Sequence, residues 1–191
     1  NILIPGTLSA LVGLAGCSFK STTQPAVLVI MVDSLGFGSF SCGDSSGPAE
    51  DVVFEPFCNE AVRFTHAYTP SPMSQAAVAS ILTGLYPREH GVRHNGAQAL
   101  DPKLDTIAEV ARHNGYKSSF YSGGPPVWRR AAFNQGFDVF DDSVQVSSKM
   151  PYRPVGKIVD LFLNWQASEA PRGNFLSFMF LSDPQFIDQP T

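Results

Sequence analysis

The strongest constraint on how this chain folds is one uninterrupted apolar run, Ala26-Val27-Leu28-Val29-Ile30-Met31-Val32, which stops abruptly at Asp33. The run is a strand's length and rich in β-branched residues, and it does not alternate with polar residues. It therefore predicts a strand covered on both faces, as in a parallel sheet. A second run, Phe175 to Leu181, stops at Ser182-Asp183-Pro184. Between the two, strand-like and helix-like stretches alternate. Ala61 to Tyr68 reads as a short strand. Ser74 is placed to cap an Ala-rich helix over Gln75 to Leu82 that closes near Gly84. Pro102 to His113 carries Leu104, Ile107, Ala108 and Ala111 on one helical face and ends at Gly115, and Tyr116 to Tyr121 follows as a strand. Pro154 to Ser168 repeats Val155, Ile158, Val159, Phe162 and Trp165 at helical spacing. Ser39 to Glu60 reads as irregular. The pattern predicts an α/β domain over residues 26–191, with a mostly parallel sheet and helices on both faces.

The 191 residues suit one such domain. A formal charge of −4 with no basic stripe argues against a nucleic-acid partner. The start is different in kind. Residues 1–16 are almost free of charge and too short to span a bilayer, but they suit the apolar part of a secretory signal peptide lacking its basic beginning. Leu14-Ala15-Gly16-Cys17 resembles the lipobox of bacterial lipoproteins, and residues 17–25 read as a lipidated Cys17 followed by a polar tether. The expectation is a lipid anchor and a place in the bacterial cell envelope. Cys42 and Cys58 leave two readings open, a disulfide or two buried thiols.

In parallel sheets, ligands gather beyond the carboxyl ends of the strands. Asp33 and Asp183 stand at such ends, and Ser74 stands at a helix start, where the backbone N–H groups and the dipole favour an anion. A hard divalent cation on Asp33 would lower the pKa of a hydroxyl nucleophile. Taken singly, such an Asp is commonly a turn residue and such a Ser commonly a cap. His66, His90, His94 and His113 lack metal-site spacing, and each reads as structural or exposed.

The order of the segments adds information. Ala26 to Gly38 resembles the opening of the sulfatase family, within the alkaline phosphatase superfamily. Val62-Arg63-Phe64-Thr65-His66-Ala67-Tyr68-Thr69-Pro70-Ser71-Pro72 resembles the approach to that family's nucleophile. Ser80-Ile81-Leu82-Thr83-Gly84-Leu85-Tyr86-Pro87-Arg88-Glu89-His90-Gly91-Val92 is similar to the signature that follows it. Leu104 to Ala111, Gly115 to Lys117, Gln135 to Asp142 and Phe180 to Gln185 continue the likeness in order. The resemblance implies an alkaline-phosphatase-like sheet, Asp33 as a metal ligand with Ser34 as a weaker one, and Ser74 as the nucleophile. It also implies a weak substrate contact at Gln185 and a divalent metal, calcium in sulfatases.

The departures matter as much. The family's signal for oxidising Cys or Ser to formylglycine is Cys/Ser-x-Pro-x-Arg. Here the window is Ser74-Gln75-Ala76-Ala77-Val78, which argues against formylglycine at Ser74. The family's Lys and His are absent from Ser122-Gly123-Gly124, and Gln185 stands where its Asp-Pro-His has the His. The resemblance thus implies metal-dependent hydrolysis of sulfate esters by a longer protein, whose later ligands lie beyond Thr191. Two alternatives stand beside it: a phosphoester hydrolase or transferase with unmodified Ser74, and a degenerate member that binds anions or glycans without catalysis.

Overall fold

The computed structural model describes residues 25–35, 55–96, 98–144, 152–169 and 173–182. Four parallel strands form one sheet: β1 (Val27–Val32), β2 (Lys117–Ser122), β3 (Val139–Asp141) and β4 (Phe175–Leu181), in the spatial order β1-β4-β2-β3. Among the described residues five α-helices accompany them: α1 (Glu55–Glu60), α2 (Ser74–Thr83), α3 (Pro87–His90), α4 (Ile107–His113) and α5 (Val155–Ser168). This is the predicted parallel α/β arrangement. Among the described residues, no helix is long and apolar enough to cross a membrane.

Side-chain alternation along the strands divides the core in two. The α2 side holds Val78, Ala79, Leu82, Phe120, Phe140, Leu176, Phe178 and Phe180. Register places one phenylalanine from each of three neighbouring strands in a row, with Phe120 opposite both Phe178 and Phe140. Phe120 stacks on them at centroid distances of 5.8 and 5.0 Å, and Phe137 meets it edge-on at 5.4 Å. The opposite face carries Tyr121 and Met179 against Ile158, Phe162 and Trp165 of α5. Ser119 and Ser177, fully buried there on adjacent strands, satisfy each other at 2.8 Å. Burial pushes the Tyr121 phenol up to about 12, so it stays protonated.

Several local expectations change. Ala61–Tyr68 is no strand: it is exposed along its whole length and pairs with none of the four strands. The helix expected from Pro102 starts only at Ile107, because Asp101 first closes a turn by accepting the Leu104 N–H at 3.0 Å. Thr106 and Glu109 then form a reciprocal capping box. Burial alone would raise the Glu109 carboxyl, but hydrogen bonds from Gln135 and Thr106 outweigh it and hold the carboxyl below its usual range. The stretch expected to be irregular ends in α1, whose Cys58 is disulfide-bonded. The lipobox, Cys17, Cys42, Asp183 and Gln185 lie outside the described residues.

At the far edge, Arg153 ties β3 to the segment entering α5. Its guanidinium is buried and meets Asp141 at 2.7 Å, and its backbone N–H donates to Gly123 O at 2.7 Å. Burial opposes ionisation of Asp141, but hydrogen bonds from Ser143 and Arg153 hold its carboxyl below the ordinary value.

Candidate active site

β1 ends where the apolar run ends, and the backbone turns at once. The Asp33 N–H makes a last bond to Leu181 O at 2.8 Å, and Ser34 adopts φ 61°. A non-glycine residue in that region costs of order 1–3 kcal/mol and is concentrated at functional turns. The Asp33 side chain is thereby left half-buried at the carboxyl edge of the sheet, with Ser34 exposed beside it.

Ser74 opens α2, one position later than a cap. The N-cap is Met73, whose N–H is taken by Ser71 Oγ at 3.0 Å. The Ser74 hydroxyl, expected from sequence to cap the helix, turns away from it instead. It donates across a 41-residue separation to both carboxylate oxygens of Asp33, at 3.1 Å each. The structure therefore brings the two main candidate side chains into direct contact, with the hydroxyl at the positive end of a helix dipole.

The sequence reading missed a second layer around the helix mouth. The Gln75 N–H, one residue past Ser74, donates to Asn95 Oδ1 at 3.0 Å. The Gln75 side chain is fully buried. It accepts from the Gly96 N–H at 2.7 Å and donates to Gln98 O. Asn95 is thus fixed against the first turn of α2, beside the nucleophile candidate. No spacing rule links residues 75 and 95, and only the folded loop reveals the pair.

His90 is structural. It is 2% exposed; Nδ1 accepts the Val92 N–H at 3.1 Å, which leaves the proton on Nε2 to be donated to Ser80 Oγ at 2.9 Å. Burial holds its pKa below the usual histidine value, so the native ring is neutral. The unfolded chain takes up a proton near pH 6.5 and the native ring only at lower pH, so stability falls as pH drops through that window. Urea melts of the full-length protein at pH 7.5 and 5.5 are expected to show this as a loss of at most about 1.4 kcal/mol per pH unit that His90→Gln removes.

As a metal site, this corner supplies hard oxygen donors: the Asp33 carboxylate and, beside it, the Ser34 hydroxyl. They fit part of a calcium or magnesium shell, which takes six or more oxygens. Among the described residues, no three His, Cys, Asp or Glu side chains gather to complete it. A cavity of about 350 Å³ lies further along α2, lined by Tyr68, Pro70, Ile81, Leu85 and Tyr86, and it includes neither Asp33 nor Ser74.

The structure is thus an α/β scaffold whose parallel sheet brings a strand-tip carboxylate and a helix-mouth hydroxyl to one corner. The chain belongs to the sulfatase family, whose model matches residues 25–184. It is 26% identical over 114 residues to an N-acetylgalactosamine-6-O-sulfatase of Bacteroides thetaiotaomicron, covering 54% of this chain and 22% of that protein. It is 27% identical over 123 residues to mouse arylsulfatase G, covering 62% and 23%. Among solved structures it superposes on BT4656, determined in complex with its substrate D-glucosamine-2-N,6-O-disulfate, with a TM-score of 0.71 at 19% identity, over 88% of this chain and 36% of that one. It also superposes on the phosphonate monoester hydrolase of Agrobacterium radiobacter, with a TM-score of 0.63 at 18% identity, over 84% and 41%. The matched stretches thus span less than a quarter of the length of these curated relatives.

Proposed function

We propose that the full-length protein is a metal-dependent hydrolase of sulfate esters, with Ser74 as nucleophile and Asp33 as a metal ligand. The observation that carries this reading is the paired hydrogen bond from Ser74 Oγ to the Asp33 carboxylate. A carboxylate alone is far too weak a base to ionise an alcohol. A divalent cation, calcium in this reading, held by Asp33 with Ser34 as a weaker ligand, would supply the charge that lowers the pKa of the hydroxyl and offsets the developing oxyanion. Asp33 orients the hydroxyl, the α2 dipole favours the anionic ester, and Asn95 keeps the loop against the helix mouth. Gln185 is a candidate weak contact to substrate. Export, with a lipid on Cys17 holding the enzyme at the bacterial envelope, completes the proposal.

One observation keeps a second reading alive. Ala76 and Val78 occupy the Pro and Arg positions of the formylglycine signal, and both are buried in the core. That removes a cation one helical turn below Ser74 and favours an unmodified hydroxyl, as in phosphoester hydrolysis. The test is turnover of 4-nitrophenyl sulfate and 4-nitrophenyl phosphate by the full-length protein with added calcium, together with the mass of the Ser74 peptide. Formylglycine would be about two mass units lighter than Ser through loss of two hydrogens. Faster cleavage of the sulfate ester is the expected result. Faster cleavage of the phosphate ester with unmodified Ser74 moves the protein to the second reading, and turnover of neither contradicts both.

A further inference from the structure

Gln75 follows Ser74 in the first turn of α2, and its side chain is fully buried beside Ala76, Val78, Ala79 and Leu82. A buried amide is costly unless it is hydrogen-bonded. Among the described residues its partners belong to one loop. Its Oε1 accepts from the Gly96 N–H at 2.7 Å, and its Nε2 donates to Gln98 O. Gln98 turns its own amide back on the same loop, where Oε1 accepts from the Arg93 N–H and, at 3.0 Å, from the His94 N–H. The Gln75 N–H adds the bond to Asn95 Oδ1 at 3.0 Å. Two glutamine amides therefore fix the backbone of residues 93–96, which are exposed, against the residue next to the candidate nucleophile. An apolar side chain would fill the same space without dictating where the loop lies; a satisfied polar network dictates it.

We propose that Gln75 is a positioning residue of the active site: with Gln98 it holds the loop at the mouth of α2, where Arg93 contacts the anionic ester. Charge argues for Arg93. The chain has a formal net charge of −4, and the Arg position of the formylglycine signal holds the buried Val78. An anionic ester drawn toward the Asp33 carboxylate needs positive charge to offset it. A guanidinium supplies that charge with parallel N–H donors matched to sulfate or phosphate oxygens. Arg93 lies two residues before Asn95, no more than ~8 Å away between Cα atoms. Seating Asn95 on the helix mouth therefore brings Arg93 to the rim of the site. The proposal rests on Ser74 and Asp33 acting as nucleophile and metal ligand, and it serves a sulfate or a phosphate ester alike.

Steady-state kinetics of the full-length protein test it. The substrate is whichever 4-nitrophenyl ester is cleaved faster, the competing anion is inorganic sulfate or phosphate to match, and the melting temperature is the folding control. Arg93→Ala is expected to raise KM and the inhibition constant of the anion by ~10-fold or more at unchanged melting temperature, and Arg93→Lys to recover part of the loss. Gln75→Leu is expected to lower kcat/KM by at least ~10-fold at a temperature where the variant is fully folded, and to lower it little further once residue 93 is alanine, because both changes remove one contact. A merely structural Gln75 would shift the melting temperature without this coupling to an exposed side chain. Arg93→Ala with the parental KM overturns the proposal, and so do losses from the two changes that multiply independently. Gln98→Ala, which opens the other half of the clamp, is held to the same standard if Gln75→Leu does not fold. Failure of the site itself reads differently: Ser74→Ala and Asp33→Asn would then keep the parental rate, and the proposal falls with them.

Discussion

Asp33→Asn in the full-length protein is expected to lower kcat/KM for its ester substrate by about 10³-fold or more while leaving the melting temperature nearly unchanged. Asparagine has the same shape and keeps an oxygen that can accept from Ser74 Oγ, and the backbone bond from residue 33 to Leu181 O is untouched. What disappears is the negative charge, which is the part of Asp33 that the proposed reading gives to the metal. Two losses should therefore appear together: the rate, and the rise in melting temperature that added calcium is expected to give the parent protein under the proposed reading. Initial rates across a calcium titration, beside thermal melts, make the check. A variant within threefold of the parent would show that Asp33 holds no metal that matters.

Gly123 should be the least replaceable residue of the carboxyl edge. A Cβ there would lie 2.7 Å from Phe180 O and 3.0 Å from both Ser182 N and Ser182 Oγ. The backbone cannot move aside, because the Gly123 N–H donates to Phe180 O at 2.7 Å and its C=O accepts from the Arg153 N–H at 2.7 Å. Gly123→Ala is expected to cost about 3 kcal/mol in urea unfolding of the full-length protein. Gly123→Lys should be worse, since its stem meets the same atoms and its ammonium is carried into a buried position. The family's lysine is missing from this stretch, and at position 123 the close approach of β2 to β4 gives a physical reason why it cannot be put back. An alanine variant of parental stability would refute this packing argument.

The sequence was most legible where one local force acted alone. β4 occupies the predicted residues because FLSFMFL is buried on both faces. β1 has nearly its predicted length, yet its predicted burial on both faces is not met. A run of apolar residues records the strand's final surroundings, and the described residues supply only one neighbour for it. The aromatic stretch Ala61–Tyr68 suggested a strand from residue type, but strand formation needs a partner edge, which composition does not encode. The start of α4 was readable in principle from Thr106-x-x-Glu109, a capping pattern that the nearby Pro102 obscured. The site was legible in its members and not in its bonds. Asp33 and Ser74 were visible as a strand tip and a helix start, but that the hydroxyl would leave its own helix for a carboxylate 41 residues away follows only from how the sheet and α2 meet. Asn95 had no local signal at all.

Both candidate residues serve one claim, that the carboxylate holds the hydroxyl ready to attack an anionic ester. Initial-rate kinetics of Ser74→Ala on the full-length protein address it most directly, with melting temperature as the folding control. The account predicts a fall in kcat of about 10³-fold or more at unchanged stability; a stable variant that still turns over at the parental rate would place the chemistry elsewhere.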